Sequence, residues 1–304
     1  MIKLLIGKSP YTKWNFTVTP PKGVGYELFK NFLIAKEKFQ PDYFLYETSS
    51  YAREIVQQEI SAQLAAPLIS FDSSLVSAQL KPNLFATNIP NIQPPIEVSP
   101  LLMKDIINPK VKRKRYVFES PDDKPPTPSG LIRLGHIYIP RNGRKYKVYS
   151  LRGKGCTLNT DNKRIEMRTG LYYTNGVARP LTLWETRKLQ TIPNWVKFPL
   201  VDARAIEQIC RGSTIEVLKQ IFKNIPNAEN EEFIVLSMYD GMGCGCIALK
   251  DLGFNIKKYI SVENDKRAIR VLDENFPDRI GFKNAADVRD NGSELSCAIS
   301  ALKN

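Results

Sequence analysis

The sequence predicts an α/β protein: a largely parallel sheet covered by helices, with a second, small β-rich domain. Three observations carry this. An apolar run at 235–238 enters the turn Tyr239, Asp240, Gly241, Met242, Gly243, Cys244, Gly245, and a helical pattern follows at Ile247, Ala248, Leu249 and Leu252. About twenty residues beyond the turn, a second apolar run at 258–262 ends in Glu263. Short β-like pieces separated by glycine turns fill 129–175. The first two features together are the layout of a nucleotide-type βαβ site. Glycines let backbone approach a ligand, the helix N-terminus offers N–H groups, and the acid accepts ribose hydroxyls. A glycine turn alone also fits an ordinary tight turn; the acid at this spacing favours a cofactor site. Such a site normally opens a domain, yet here it begins near residue 233 of 304.

The elements follow in order. Residues 2–7 read as a strand, and 12–24 as a loop. Leu28, Phe29, Phe32 and Leu33 give 26–39 one apolar face, with lysines opposite, and Pro41 stops the helix. Residues 43–46 form a short buried strand ending at Glu47. A second helix covers about 52–64, and strands are expected at 68–71 and 83–88. Proline clusters at 90–100 and 121–128 mark a boundary. Helices are expected at about 182–190 and 213–225, then a polar linker at 226–232 leads into the glycine-turn strand. A weak helix at 293–302 closes the chain. The expected division is 1–97 and 178–304 for the large sheet, with a basic domain at 98–177.

The bulk properties exclude several classes. The chain is 42% hydrophobic, as in globular proteins, and no run of eighteen apolar residues occurs. No signal peptide precedes the first strand, so a soluble, intracellular protein is expected. Five scattered cysteines argue against a disulfide framework. His136 is the only histidine, and Cys244 and Cys246 alone cannot fill a zinc shell, so no metal site is expected. The net charge of +13 is concentrated: 104–168 holds seventeen Lys/Arg against six Asp/Glu. That density suggests a polyanion-binding face, because each phosphate contact releases counterions. Arg113, Arg115, Arg141, Arg144, Lys145 and Arg152 are the candidate contacts.

Read together, the segments resemble a DNA cytosine-5 methyltransferase whose motifs are circularly permuted. Residues 4–11 (LLIGKSPY) are similar to the family's catalytic loop, and 44–48 (FLYET) to its Glu-Asn-Val motif. Residues 74–83 (SLVSAQLKPN) resemble the Gln-x-Arg-x-Arg motif, and 147–160 the end of a target-recognition domain. Residues 179–193 (RPLTLWETRKLQTIP) match the ninth motif strongly, and 212–217 (GSTIEV) resemble the tenth. The glycine turn, Glu263 and Asp287 then resemble the first three motifs, which normally come first. Single motifs are weak, but their consistent cyclic order is specific. The resemblance implies a Rossmann-like S-adenosylmethionine-dependent methyltransferase fold. It implies a cofactor site of Tyr239, Asp240, Gly241, Met242, Gly243, Gly245, Glu263, Asp287, Val288, Ser213 and Thr214. It further implies double-stranded DNA as partner, no membrane, and a cytoplasmic protein of bacterial or phage origin.

One substitution governs the expected chemistry. In the family a cysteine thiolate adds to carbon 6 of cytosine while a glutamate bonds N3, which lets carbon 5 attack a methyl group. Tyr11 occupies the cysteine's place, and none of the five cysteines lies in this loop. A phenol near pKa 10 is a far weaker nucleophile than a thiol near 8.5, and it crowds a flipped base. Thr48 replaces the expected Asn, and Lys81 and Asn83 replace two arginines. Glu47, Gln79 and Lys81 complete the expected pocket around Tyr11. Three readings stay open: a catalytically degenerate DNA-binding homologue, partnering an active methyltransferase or a second copy of itself; an active methyltransferase with a non-standard loop, Ser9-Pro10-Tyr11 being a poor match to an amino-group methyltransferase loop; and an active enzyme with a relocated nucleophile.

Overall fold

The computed structural model describes residues 1–9, 12–111, 116–118, 127, 130–139, 144–158 and 168–302. Twelve strands are described: β1 Ile2–Lys8, β2 Tyr43–Ser49, β3 Leu68–Asp72, β4 Pro82–Thr87, β5 Tyr116–Val117, β6 Arg133–Ile139, β7 Arg144–Tyr149, β8 Leu171–Thr174, β9 Val177–Arg179, β10 Glu232–Met238, β11 Asn255–Val262 and β12 Ile280–Phe282. The described α-helices are α1 Val24–Phe39, α2 Glu54–Leu64, α3 Met103–Ile106, α4 Leu183–Leu189, α5 Asp202–Arg211, α6 Ile215–Phe222, α7 Cys244–Asp251, α8 Lys266–Asn275 and α9 Glu294–Ser300. The chain forms two compact units. One comprises Met1–Phe71, Pro82–Pro94 and Leu218–Asn304; the other comprises Asp72–Lys81 and Pro95–Val217.

The first unit is built on a seven-stranded sheet in the order β12-β11-β10-β1-β2-β4-β3. β1 is central and pairs in parallel with β10 (Ile2 opposite Phe233, Gly7 opposite Met238) and with β2. β11 and β12 continue in parallel on one side, while β4 runs antiparallel to β2 on the other. Strand order therefore reverses between β10 and β1, the place where open α/β sheets collect ligands beyond the carboxyl ends of their strands. Central strands face helices on both sides, which explains their unbroken apolar runs: Leu4, Leu5, Phe233, Val235 and Leu236 are fully buried. α1 presents Tyr26, Phe29, Phe32, Ala35 and Phe39 to the core and ends at Gln40 in a left-handed conformation before Pro41. Asp265 caps α8 through Arg267 N (2.8 Å), and Ser293 caps α9.

The second unit holds a five-stranded, mostly antiparallel sheet in the order β5-β9-β8-β7-β6. Tyr146, Val148, Leu171 and Ala178 form its small core. β9 runs directly into α4, and the joint is fixed by a buried ion pair. Arg179, 1% exposed, donates to both carboxylate oxygens of Glu185 at 2.8 and 2.7 Å. Glu185 also accepts Asn108 N (2.9 Å) and closes a capping box with Thr182. On α5, Glu207 pairs with Arg168, Arg204 and Arg211.

Three differences from the sequence expectation follow. Residues 178–217, expected with the large sheet, cluster instead with the β-rich unit, whose strand β9 is tied to α4 by the Arg179–Glu185 pair. Asp72–Lys81, expected in the 1–97 half, joins that unit as well. α5 is an element the sequence reading did not assign.

Candidate functional site

In the first unit, the carboxyl ends of β10, β11, β1 and β2 carry the residues singled out by sequence. The turn after β10 places Tyr239 (φ 58°), Gly241 (φ 60°) and Gly243 (φ 83°) in the left-handed region. The glycines do different work. A side chain on Gly243 would meet the Leu272 side chain at 2.8 Å, and one on Gly245 would meet the end of Ile6 at 2.5 Å, so either would force a neighbour to move. At Gly241 no atom of the described residues lies within 4 Å of where a side chain would stand. There the turn opens onto free space, the cradle a ligand needs.

Glu263 is fixed beside that opening. Its Oε2 accepts Gly241 N at 2.8 Å, and its Oε1 accepts Asn264 N and Asp265 N at 2.8 and 2.7 Å. Three amide donors hold the carboxylate between the glycine turn and the start of α8. Each oxygen of a carboxylate has two acceptor sites, so Oε2 can take a further hydroxyl. Asp240 lies on the same turn and accepts from Ser237 Oγ (2.7 Å) and from the Tyr259 hydroxyl. Burial of its carboxyl, reinforced by the nearby Glu263, pushes it up to about 6 from 3.8. A raised folded-state pKa means stability fully present below about 4 and lost as pH rises through about 6. Asp240→Asn should remove most of this dependence, about 1–3 kcal/mol between pH 4 and 7. Urea unfolding of both proteins across that range checks it; parallel pH profiles would show that Asp240 ionises without cost.

Tyr239 turns to α1: its hydroxyl donates to Leu28 O (2.8 Å) and accepts from Asn31 Nδ2 (3.2 Å), and burial pushes it up to about 12. Met242 and Val288 are buried. Asp287 accepts from Asn284 Nδ2 at 2.6 Å, within the short helical turn Ala285–Arg289 and its cap.

At the end of β2, Glu47 is 7% exposed. It accepts from Asn83 Nδ2 at 2.8 Å and pairs with Lys8 Nζ at 3.6 Å. Thr48 Oγ1 beside it is buried with no hydrogen-bond partner among the described residues. Ser9 Oγ bonds the Tyr46 hydroxyl, whose ionisation is pushed far up by burial. Tyr11 lies outside the described residues.

The second unit holds the remaining candidates. Gln79 is fully buried, and neither end of its amide has a partner among the described residues. Lys81 Nζ donates to Gly212 O. Thr214 bonds Ser73 Oγ (2.7 Å) and Gln190 Oε1 (2.9 Å), so its hydroxyl ties this unit together; Ser213 is buried. On β7, Lys145 and Lys147 are exposed while Tyr146 and Val148 are buried. Opposite them on β6 stand Tyr138 and His136. Lys147 was absent from the sequence-based candidates, although its period-two spacing from Lys145 was the available signal. Arg152 is exposed. Arg113, Arg115 and Arg141 lie outside the described residues, as does the side chain of Arg144.

Over 152 residues the chain is 29% identical to the type II methyltransferase M.HhaI of Haemophilus parahaemolyticus. Nearly half of the chain thus resembles a methyltransferase. The match covers 47% of this chain and 45% of that protein, so it spans less than half of the relative's length. Among solved structures, a mutant of Spodoptera frugiperda DNMT2 superposes with a TM-score of 0.46 at 11% identity. That superposition covers 72% of this chain and 79% of the other, and at this level it carries no argument. No family model matches the sequence. Among the described residues no helix is long and apolar enough to cross a membrane, and no cluster of metal-ligating side chains occurs.

Proposed function

We propose that the chain is a circularly permuted relative of DNA cytosine-5 methyltransferases that binds S-adenosylmethionine and double-stranded DNA but has lost cytosine-5 methyl transfer. The observation that carries the cofactor half is the Glu263 carboxylate, held on Gly241 N where the turn opens onto free space. The residues present fit the cofactor: a fixed carboxylate for the ribose hydroxyls, a turn into which a ligand can come close, and the start of α7. When bound, S-adenosylmethionine supplies an electrophilic methyl group. The likeness to M.HhaI supports the same reading. The adjacency of β10 and β1 supports the permutation, because the strands that follow the cofactor turn and those that precede it in the chain share one sheet.

The Asp240–Gly245 turn should bind S-adenosylmethionine or its demethylated product. Glu263→Ala should weaken that binding by roughly 1–3 kcal/mol, the cost of a charged hydrogen bond. Because Glu263 also anchors the turn, Glu263→Gln is the companion variant, keeping one acceptor. Calorimetry that shows neither heat nor thermal shift at saturating cofactor would assign the glycines a purely structural role.

The β-rich unit takes the target-recognition role, with Lys145, Lys147 and Arg152 exposed; Arg113, Arg115, Arg141 and Arg144 join them as candidates from the sequence alone. If ~5 phosphates are engaged, affinity for DNA should fall with a log–log salt slope of about −4 to −5. Affinity unchanged between low and moderate salt would refute the electrostatic picture. A DNA-binding protein without its own chemistry acts by occupying sites or by pairing with an active methyltransferase or a second copy. Co-purification separates these. The competing reading, an active enzyme with a non-standard loop, is decided by methyl transfer to mixed DNA.

A further inference from the structure

Lys154 is 5% exposed, and its ammonium lies inside a cage of main-chain carbonyls. Its three N–H groups are shared among four carbonyls, Ser74 O (3.1 Å), Ser77 O (3.0 Å), Ser99 O (2.7 Å) and Leu101 O (2.9 Å). The first two acceptors belong to the loop that follows β3, and the others to the segment before α3. The loop is also closed at its neck. Asp72 Oδ1 accepts Ser74 N (2.7 Å) and Lys81 N (3.3 Å), while Ser73 N and Oγ both donate to Lys81 O. Inside the loop Ser77 Oγ accepts Gln79 N at 3.0 Å, and beyond it Leu80 N bonds Gly155 O next to the lysine. Carbonyl oxygens arranged around a point are the coordination shell of a monovalent cation. Here a side chain of the chain itself fills that place. Burial lowers the basicity of the amine, and Asp72 opposes this.

We propose that Lys154 is a positioning residue that acts as an internal cation: its ammonium organises the Ser73–Lys81 loop and thereby sets the buried Gln79 amide and Lys81. The identity of the loop's target rests on the methyltransferase reading above. The cation cage does not, and neither does its test.

Three predictions follow from treating the ammonium as a bound ion. A caged amine exchanges its protons slowly, so the wild-type protein should show a resolved Lys154 Nζ proton resonance at neutral pH. Lys154→Ala removes the propylammonium portion and leaves the carbonyls without donors. Amide exchange at Ser74–Leu80 should then speed up at least tenfold, while amides of β1 and β10 keep their protection. Added n-propylammonium should restore that protection in the variant, with potassium acting more weakly, and 1-propanol should not.

The experiment is hydrogen exchange on wild type, Lys154→Ala and Lys154→Met, with each additive, together with the Nζ spectrum of the wild type. Loop protection unchanged by Lys154→Ala, or restored equally by 1-propanol, overturns the proposal, since the side chain would then serve by filling space. Should both variants fail to fold, the wild-type spectrum decides: a fast-exchanging, unresolved Lys154 amine overturns the cage. None of these readouts uses cofactor or DNA. A wrong assignment of function would therefore leave them unchanged, and a wrong assignment of the cage would leave cofactor and DNA binding unchanged.

Discussion

Incubated with S-adenosylmethionine and DNA carrying 5-fluorocytosine, the wild-type protein should form no covalent adduct and transfer no methyl group to carbon 5. On the proposed motif assignment Tyr11 stands at the nucleophile's position, and at neutral pH a phenol with a pKa near 10 is almost entirely protonated. On the proposed motif assignment, three further positions also depart from the family pattern. Asn83, in place of an arginine, bonds Glu47. Thr48, in place of an asparagine, leaves a buried hydroxyl without a partner among the described residues. Lys81 spends its ammonium on Gly212 O. Tyr11→Cys alone should therefore restore little, because residues that act as a unit fail together. Converting all four positions, with Thr48→Asn, Lys81→Arg and Asn83→Arg, asks whether the scaffold is otherwise intact. A wild-type adduct mapped to any residue would overturn the loss of chemistry and make a relocated nucleophile the leading reading.

The largest effect on stability is expected from Glu185→Ala. It leaves the Arg179 guanidinium buried without its carboxylate and also strips acceptors from Asn108 N and Thr182 N. An uncompensated buried charge costs about 3–5 kcal/mol, enough to unfold a small unit. Removing both charges with well-packed apolar residues should cost much less. Burial, the largest single influence, would raise the Glu185 carboxyl, but the hydrogen bonds from Arg179, Thr182 N and Asn108 N and the Arg179 charge together outweigh it and hold the carboxyl below its usual value. The pair therefore stabilises the unit at neutral pH, and that contribution is lost as pH falls through the lowered value. Urea midpoints of wild type, Glu185→Ala and the double variant check this; a loss under 1 kcal/mol for Glu185→Ala would mean that water reaches Arg179.

Much of the large sheet was legible because its strands are short apolar runs ending in glycine, proline or acid. The strands at 2–7, 43–46, 68–71 and 83–88 lie within a residue or three of the observed elements. The glycine turn and Glu263 were legible for the same reason: the chemistry sits where a pattern breaks. α5 was not. Its apolar side chains Ala205, Ile206, Ile209 and Cys210 do keep a helical spacing, but over only ten residues, with the polar Glu207 and Gln208 buried between them. The unit boundary at 217/218 was also hidden, because it falls inside a continuous helix, Ile215–Phe222. Lys154 read as one more surface charge in a basic region. Only the fold reveals that four carbonyls from distant segments converge on it.

The pairing of β1 with β10 has a consequence for biosynthesis. Ile2 meets Phe233, so one edge of the first strand waits for a partner made over two hundred residues later. At ~5–20 residues per second that delay is roughly ten to fifty seconds. During it, β1 and β2 present an apolar, unpaired edge of the sort that recruits other chains. That edge stays open until residues 232–238 arrive to complete the sheet.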